Sequence, residues 1–181
     1  TDQSAIAKFG YQLIPSTFSL DAYRYIFSSG MGIGRAYGVT IFATVVGTAI
    51  SVLVIALYAY PLSRSGFLGK GALTFFIFFT MLFSGGMVSW YMIMTKVLKL
   101  SNTVWALILP NAMNAWYVII MRTFFQTSVP DALIEAAKIE GAGEFKILFK
   151  VVFPISLPAI ATIALFQTLT YWNDWYNCIM L

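Results

Sequence analysis

Four long stretches of this chain carry no charged side chain: residues 36–63, 71–95, 100–121 and 151–173. A helix rises about 1.5 Å per residue and needs roughly 20 apolar residues to cross the hydrocarbon core of a bilayer. Each stretch is therefore long enough to span, and the pattern predicts helices over about 36–60, 71–94, 103–121 and 154–172. Pro61, followed by Arg64, is expected to halt the first. The second contains Ser84-Gly85-Gly86, small residues that let another helix approach closely or let this helix bend, with packing the default expectation. The third carries Pro110, Asn111 and Asn114. These groups are costly in hydrocarbon unless they face a protein interior or a water-filled route, so this span is expected to line something. The fourth ends in the run from Tyr171 to Cys178, where Trp and Tyr surround Asp174. An interfacial aromatic belt is the ordinary reading of such a run, and a substrate-lining role is the other.

Composition agrees with the periodicity. Of the 181 residues 60% are hydrophobic and 10% charged, with a mean hydropathy of +0.81, whereas about a quarter of a soluble domain is charged. There is no His, and the single Cys178 has no partner in sequence. That removes zinc centres, disulfide frameworks and most nucleophile–base pairs. The net charge of +4 is spread along the chain; it offers no basic cluster to nucleic acid and suits lipid headgroups instead. Alternating spans place Arg64, Lys70, Arg122, Lys138, Lys146 and Lys150 on one side and Lys8, Arg24, Arg35, Lys96 and Lys99 on the other, too even a division to fix orientation.

Two glycine-rich runs are not nucleotide loops. Gly30, Gly32 and Gly34 follow no strand and read as a flexible entry to the first span, and GFLGKG at 66–71 lacks both the Walker spacing and its hydroxyl. The run SLDAYRYIF at 19–27 reads as a short amphipathic helix starting near Ser19 or Asp21 and lying at a membrane surface. The chain opens on Thr1 and its last apolar run stops at Leu181, which reads as an internal fragment.

Between the third and fourth spans the chain turns polar. Ser128-Val129-Pro130-Asp131 is a helix-start signal, with Ser128 placed to cap the first turn. Ala132, Leu133, Ala136 and Ala137 fall on one face, and Gly141 is expected to end the helix in a left-handed conformation. A second helix over about 143–153 stacks Phe145, Leu148, Phe149 and Val152 on one side, leaves Lys146 and Lys150 on another, and is broken by Pro154. The product is a helix, a glycine elbow and a helix standing in water.

Glu135-Ala136-Ala137, three residues, Gly141, nine residues and then Val151-Val152-Phe153-Pro154 is similar to the EAA loop of ABC importer permeases, E-A-A-x3-G-x9-I-x-L-P. Val151 and Phe153 stand where the pattern has Ile and Leu, and Glu140 where Asp is frequent. AYPLSR at 59–64, FSGG at 83–86, WALILP at 105–110 and IMRTFFQTSVPDALIEAAKIEGA at 120–142 resemble the sugar-importing permeases related to the maltose system, particularly the oligosaccharide branch. The resemblance implies an all-α, multi-pass transmembrane bundle of the type I importer fold in a bacterial plasma (inner) membrane. About four of the usual six spans would be present, the first and last lacking. Residues 1–35 would form an extracytoplasmic amphipathic segment, and 36–181 the permease domain with a cytosolic coupling loop at about 123–154.

It implies further that Glu135, Ala136, Ala137, Glu140, Gly141, Ala142, Val151, Phe153 and Pro154 belong to a loop docking on a cytosolic ABC ATPase dimer. That dimer, not this chain, would bind ATP and Mg and hydrolyse the ATP, so no cofactor, metal or catalytic residue is expected here. A second permease subunit, forming a heterodimer, and an extracytoplasmic sugar-binding protein complete the implied assembly. Asn111, Asn114, Trp172, Asn173 and Asp174 are candidates for a sugar path, because amides, carboxylates and aromatic faces suit hydroxyls and pyranose rings; helix–helix hydrogen bonding accounts for them equally well. The alternatives are a secondary transporter or channel subunit without an ATPase, and a membrane scaffold. A secondary carrier should hold its important ionisable groups inside the spans, where this chain has almost none.

Overall fold

The structure, a computed structural model, describes residue 10, residues 19–28 and residues 32–181. Every regular element among them is helical. The chain divides into two units, residues 1–39 and 40–181. The described part of the first holds α1 (Asp21–Ser28), which matches the expected short helix and exposes Tyr23, Tyr25 and Phe27. It also holds the first turns of α2 (Ile33–Ser63), entered through Gly32 at φ +64. Gly30 and Lys8 lie outside the described residues.

The second unit continues α2 and adds α3 (Lys70–Leu82), α4 (Gly86–Met92) with a π turn over Ile93–Val97, and α5 (Trp105–Ile108) with a 3-10 turn over Leu109–Asn111. Then come α6 (Ala115–Ser128), α7 (Asp131–Ile139), α8 (Glu144–Ile147) with a π turn over Leu148–Val152, α9 (Phe153–Ile155), α10 (Leu157–Trp172) and α11 (Tyr176–Met180).

Of the expected spans only α2 is an unbroken helix long and apolar enough to cross a membrane. The second is α3 and α4 with the π turn, bent by 117° at the Ser84-Gly85-Gly86 break, where Gly86 takes φ +76. The small-residue patch thus bends the helix. The fourth is likewise a bent pair, turning through 85° at Ser156, and counting each bent pair as one span brings the number to three. The stretch expected as the third span is broken into α5, the 3-10 turn and the 14-residue α6. Pro110 sits in the 3-10 turn, and Asn114 is extended before α6, so this stretch cannot form one continuous helix.

Two prolines do not stop their helices where the sequence suggests. The α2 helix passes Pro61 and ends at Ser63, closed by the Ser63 hydroxyl donating to the Tyr60 carbonyl (2.6 Å) and by the Arg64 amide donating to that of Pro61 (3.2 Å). Pro154 lies inside α9, and the break comes two residues later. A proline ring crowds the carbonyl four residues back, and Pro154 falls just after the wider π turn over Leu148–Val152.

The packed core lies at the Arg64 end of α2, where α6, α8 and the π turn meet it: Ile55, Ala56 and Ala59 face Met121, Phe125, Ile147 and Val152, all fully buried. The alanines bring α2 close to its neighbours, which is how helices gain packing energy when lipid competes for every apolar contact. Many large apolar side chains of α2 and α3, among them Val45, Phe75 and Phe76, point outward. In a bilayer that exposure carries no hydrophobic penalty.

Candidate functional site

The polar interruption folds as the helix, elbow and helix that its glycine suggests. Gly141 adopts φ +79. The Ala142 amide donates to the Ala137 carbonyl (2.9 Å) and the Gly141 amide to that of Lys138 (3.0 Å). This is the paired bonding of a Schellman end, with Ala137 and Ala142 both half-buried beneath it. Asp131 occupies the first turn of α7 and Lys138 its last, each at the helix end its charge favours. Ser128 does not cap α7; it is the last residue of α6, and Pro130 stands at the N-cap with no side-chain bond.

The inner face of α7 is Ile134 and Ala137, whereas Ala132, Leu133 and Ala136 are exposed. In the second helix Ile147, Leu148 and Val152 are buried and Phe145 is 72% exposed, because Ile147, two residues and about 200° from Phe145 round α8, takes the inward position. Phe149 is also outward and leans on Phe153 at 5.1 Å between ring centres. Of the loop candidates, Glu135, Ala136, Glu140, Gly141 and Pro154 are exposed, and Ala137, Ala142, Val151 and Phe153 are half-buried. Ile139, 88% exposed, joins Phe145 in flanking the elbow with apolar surface. Sequence reasoning missed the exposure of both; the signal available was a large apolar residue on each side of an elbow made of Glu, Gly and Ala.

Behind the elbow lies a cavity of about 760 Å³. Glu144 receives Lys138 Nζ on Oε1 (2.7 Å) and the Tyr60 hydroxyl on Oε2 (2.7 Å). Those two bonds, Lys138 first, hold its carboxyl below the usual glutamate value. Arg64 donates to Asp131 Oδ1 (3.2 Å), to the Phe125 carbonyl (3.2 Å) and to Ser63 Oγ (2.9 Å), and its guanidinium lies 5.4 Å from the centre of the Tyr60 ring.

The membrane-level candidates divide. Asn111, Asn173 and Asp174 line one cleft of about 520 Å³, together with Trp90, Trp175 and Asn177. Asn114 instead caps α6, its Oδ1 accepting the Trp116 amide at 2.9 Å, and Trp172 is outside the cleft and half exposed. Asp174 is already engaged: Oδ2 accepts both Asn111 Nδ2 (2.8 Å) and the Asn177 side-chain amide, and Oδ1 accepts the Asn177 backbone amide (3.1 Å). One turn deeper, the Tyr171 hydroxyl donates to the Ile108 carbonyl (2.9 Å) and meets Ser51 Oγ at 2.9 Å. The amides and the carboxylate therefore tie the 3-10 turn to the junction of α10 and α11. Asn173 Nδ2 is likewise given to the Leu169 carbonyl (2.9 Å) and Trp90 leans on the Tyr176 ring (5.6 Å between centres), so what is left open to a ligand is the Asn173 amide oxygen and the exposed Trp175 indole. Trp175 and Asn177 were legible in the run after Tyr171; Trp90 enters only because the bend before Gly86 turns it there.

The sequence pattern of the family described as "Binding-protein-dependent transport system inner membrane component" matches residues 52–175. The chain is 51% identical over 168 residues to the polygalacturonan/rhamnogalacturonan transport system permease protein YtcP of Bacillus subtilis (strain 168), covering 93% of this chain and 58% of that protein. It is 42% identical over 178 residues to protein LplC of the same organism, covering 98% and 59%. Among solved structures it is similar, with a TM-score of 0.86 and 32% identity, to a chain in the crystal structure of a bacterial ABC transporter involved in the import of the acidic polysaccharide alginate, covering 94% of this chain and 60% of that one. The chain thus spans about three fifths of the length of these relatives.

Proposed function

The chain belongs to the family of binding-protein-dependent transport system inner membrane components, and from that membership we propose that it is the central part of a multi-pass permease subunit that moves a carbohydrate, an oligosaccharide, inward across the plasma membrane of a bacterium. A separate cytosolic ATPase dimer hydrolyses the ATP. A second permease subunit completes the pore, and an extracytoplasmic binding protein delivers the sugar. The observation that carries this reading is the elbow: Glu135-Ala136-Ala137 and Gly141 at their proper separation, with Ile139 and Phe145 presenting bare apolar surface beside a rim of Glu135, Glu140 and Lys146.

An apolar centre with a charged rim is what a docked protein surface requires. A rigid helix pair anchored in the core at Ile134, Ile147 and Val152 can act as a lever, so that closure of the ATPases on ATP shifts the bundle between inward- and outward-facing states. The cleft around Asn173, Trp90 and Trp175 suits a pyranose, ring face on indole and hydroxyl on amide.

The test is co-purification of the full-length protein with its ATPase and partner permease. Glu135→Lys and Ile139→Asp should each lower ATPase recovery while leaving membrane insertion intact, and unchanged recovery in both would overturn the docking assignment. The substrate class is tested by thermal shift of the cognate binding protein against a glycan panel that includes galacturonan, rhamnogalacturonan and maltodextrin oligosaccharides, followed by vesicle uptake of the hit. Uptake that proceeds without ATP would favour a secondary carrier.

A further inference from the structure

The run AYPLSR, at the end of α2, is not part of the elbow, yet two of its three polar side chains, Tyr60 and Arg64, reach it. Tyr60 lies in the core face of α2, 6% exposed, and its hydroxyl reaches across to Glu144 at the start of α8, the same carboxylate that Lys138 grips from the end of α7. Arg64, one turn on, holds Asp131 at the start of α7 and the Phe125 carbonyl near the end of α6. Arg122 of α6 closes the set by donating to the Leu62 carbonyl of α2 at 3.2 Å. The elbow's covalent continuations are α6 and, through the π turn, α10; none of these bonds follows the chain. Two of them, Tyr60 to Glu144 and Arg64 to Asp131, join the elbow sideways, at both of its helices, to the end of α2, while those of Arg64 to Phe125 and Arg122 to Leu62 tie α6 to the same end.

We infer that Tyr60 and Arg64 are positioning residues forming a two-point brace, through which displacement of the docked elbow is passed directly to α2. Two attachments matter where one would not. A single contact is a pivot, about which α7 could swing while α2 stayed still. Contacts at Asp131 and at Glu144, one at the start of each helix of the pair, fix its orientation to α2 as well as its distance. The bonds are of unequal strength. The Arg64 side chain is 13% exposed and Asp131 74%, so that ion pair contributes little by itself. The Arg64 bond to the Phe125 carbonyl of α6 and the Tyr60 bond to the Glu144 carboxylate are charge-assisted and part-buried, Tyr60 being the buried partner of a Glu144 side chain that is 56% exposed. The brace rests on the reading of the elbow as the ATPase-docking loop.

The experiment uses the complete transporter in nanodiscs, with Cys178→Ser throughout and spin labels at Ser65→Cys, just past α2, and Ala132→Cys, on the exposed face of α7. The distance distribution is recorded without nucleotide and with ATP plus vanadate. With the brace intact, one narrow distance is expected in both states. Tyr60→Phe, which removes only the hydroxyl, and Arg64→Ala should each broaden the distribution in the ATP state. ATP hydrolysis should persist while sugar uptake per ATP, measured with the oligosaccharide found in the binding-protein screen, falls by roughly tenfold, the factor carried by loss of a hydrogen bond to an ion. Arg64→Asp combined with Asp131→Arg, which restores the ion pair but not the bond to Phe125, should recover part of that loss.

A distribution that stays narrow in both single variants, with coupling unchanged, overturns the brace and leaves the docking assignment standing. A wild-type transporter in which no ATPase is recovered overturns both.

Discussion

Replacing Gly141 separates backbone strain from crowding unusually cleanly. Nothing lies within 4 Å of where a Cβ would be built at Gly141, yet its φ is +79. Whatever a side chain costs there is therefore conformational. Alanine in the left-handed region costs about 1 kcal/mol, a β-branched residue about 1–2 kcal/mol or more, and asparagine less than either. That strain favours opening of the two bonds that close α7, Ala142 to Ala137 and Gly141 to Lys138, and 1–2 kcal/mol multiplies the open population by a factor of roughly 5–30.

Amide hydrogen exchange on the full-length protein in nanodiscs measures that population. Exchange over residues 138–142 should accelerate in the order Asn, Ala, Val at position 141, the valine variant by the full factor. Gly143 supplies the control. It too has nothing within 4 Å, but its φ is −71, at the N-cap of α8, so Gly143→Ser should leave exchange unchanged or slow it. Equal exchange in the asparagine and valine variants, or acceleration by Gly143→Ser matching that of Gly141→Val, would refute the reasoning.

Gly47 presents the converse case: an added Cβ would stand 2.7 Å from the Tyr171 ring, so Gly47→Ala should cost about 1–3 kcal/mol by overpacking and lower the melting temperature in detergent. Gly47→Ala combined with Tyr171→Ala should melt above the sum of the two single losses, and simple additivity would count against a direct clash. Asn114→Ala removes the cap of α6 and should destabilise the protein by about 1 kcal/mol, while Asn114→Asp or Asn114→Ser retains most of it; a denaturant midpoint that does not distinguish alanine from serine contradicts the capping role. The Glu144 carboxyl is held low by Lys138 and Tyr60, so its contribution to stability is complete above the ordinary glutamate range and is lost as pH falls through the lowered value. Carbon-detected titration of labelled Glu144 should give a midpoint below that of an unstructured glutamate, and a midpoint at or above it would deny the bracket.

How far the chain could be read depended on how local the physics was. Gly141 was legible because a left-handed helix end has a one-residue signature, and the elbow because its charges interrupt apolar runs. The span count was less legible. Freedom from charge sets a minimum length, but it does not register that Ser84-Gly85-Gly86 and Ser156 each turn the chain sharply, or that Pro110 is accommodated by a 3-10 turn. The site residues divided for the same reason. Asn114 and Asn111 look alike in sequence, yet one ends its reach at a neighbouring amide and the other meets Asp174, 63 residues away. Phe145 was misplaced because Ile147, two residues and about 200° further round α8, is the residue that faces the core.

The π turn over Leu148–Val152 has a consequence for what evolution or an engineer can do to its segment. A turn with one residue more than its neighbours sets a rotational phase. Each residue of an α-helix advances the side chains by about 100°, so deleting one residue between Ala142 and Lys150 would swing Val152 out of the core and bring a different edge of α10 toward α2. Substitutions at the exposed Lys146 or Phe149 should be absorbed locally, whereas a one-residue deletion would re-aim the helices that follow. The nine residues after Gly141 therefore behave as a gauge block: their number fixes which way α10 faces, over and above the contacts that Glu144, Ile147 and Leu148 make.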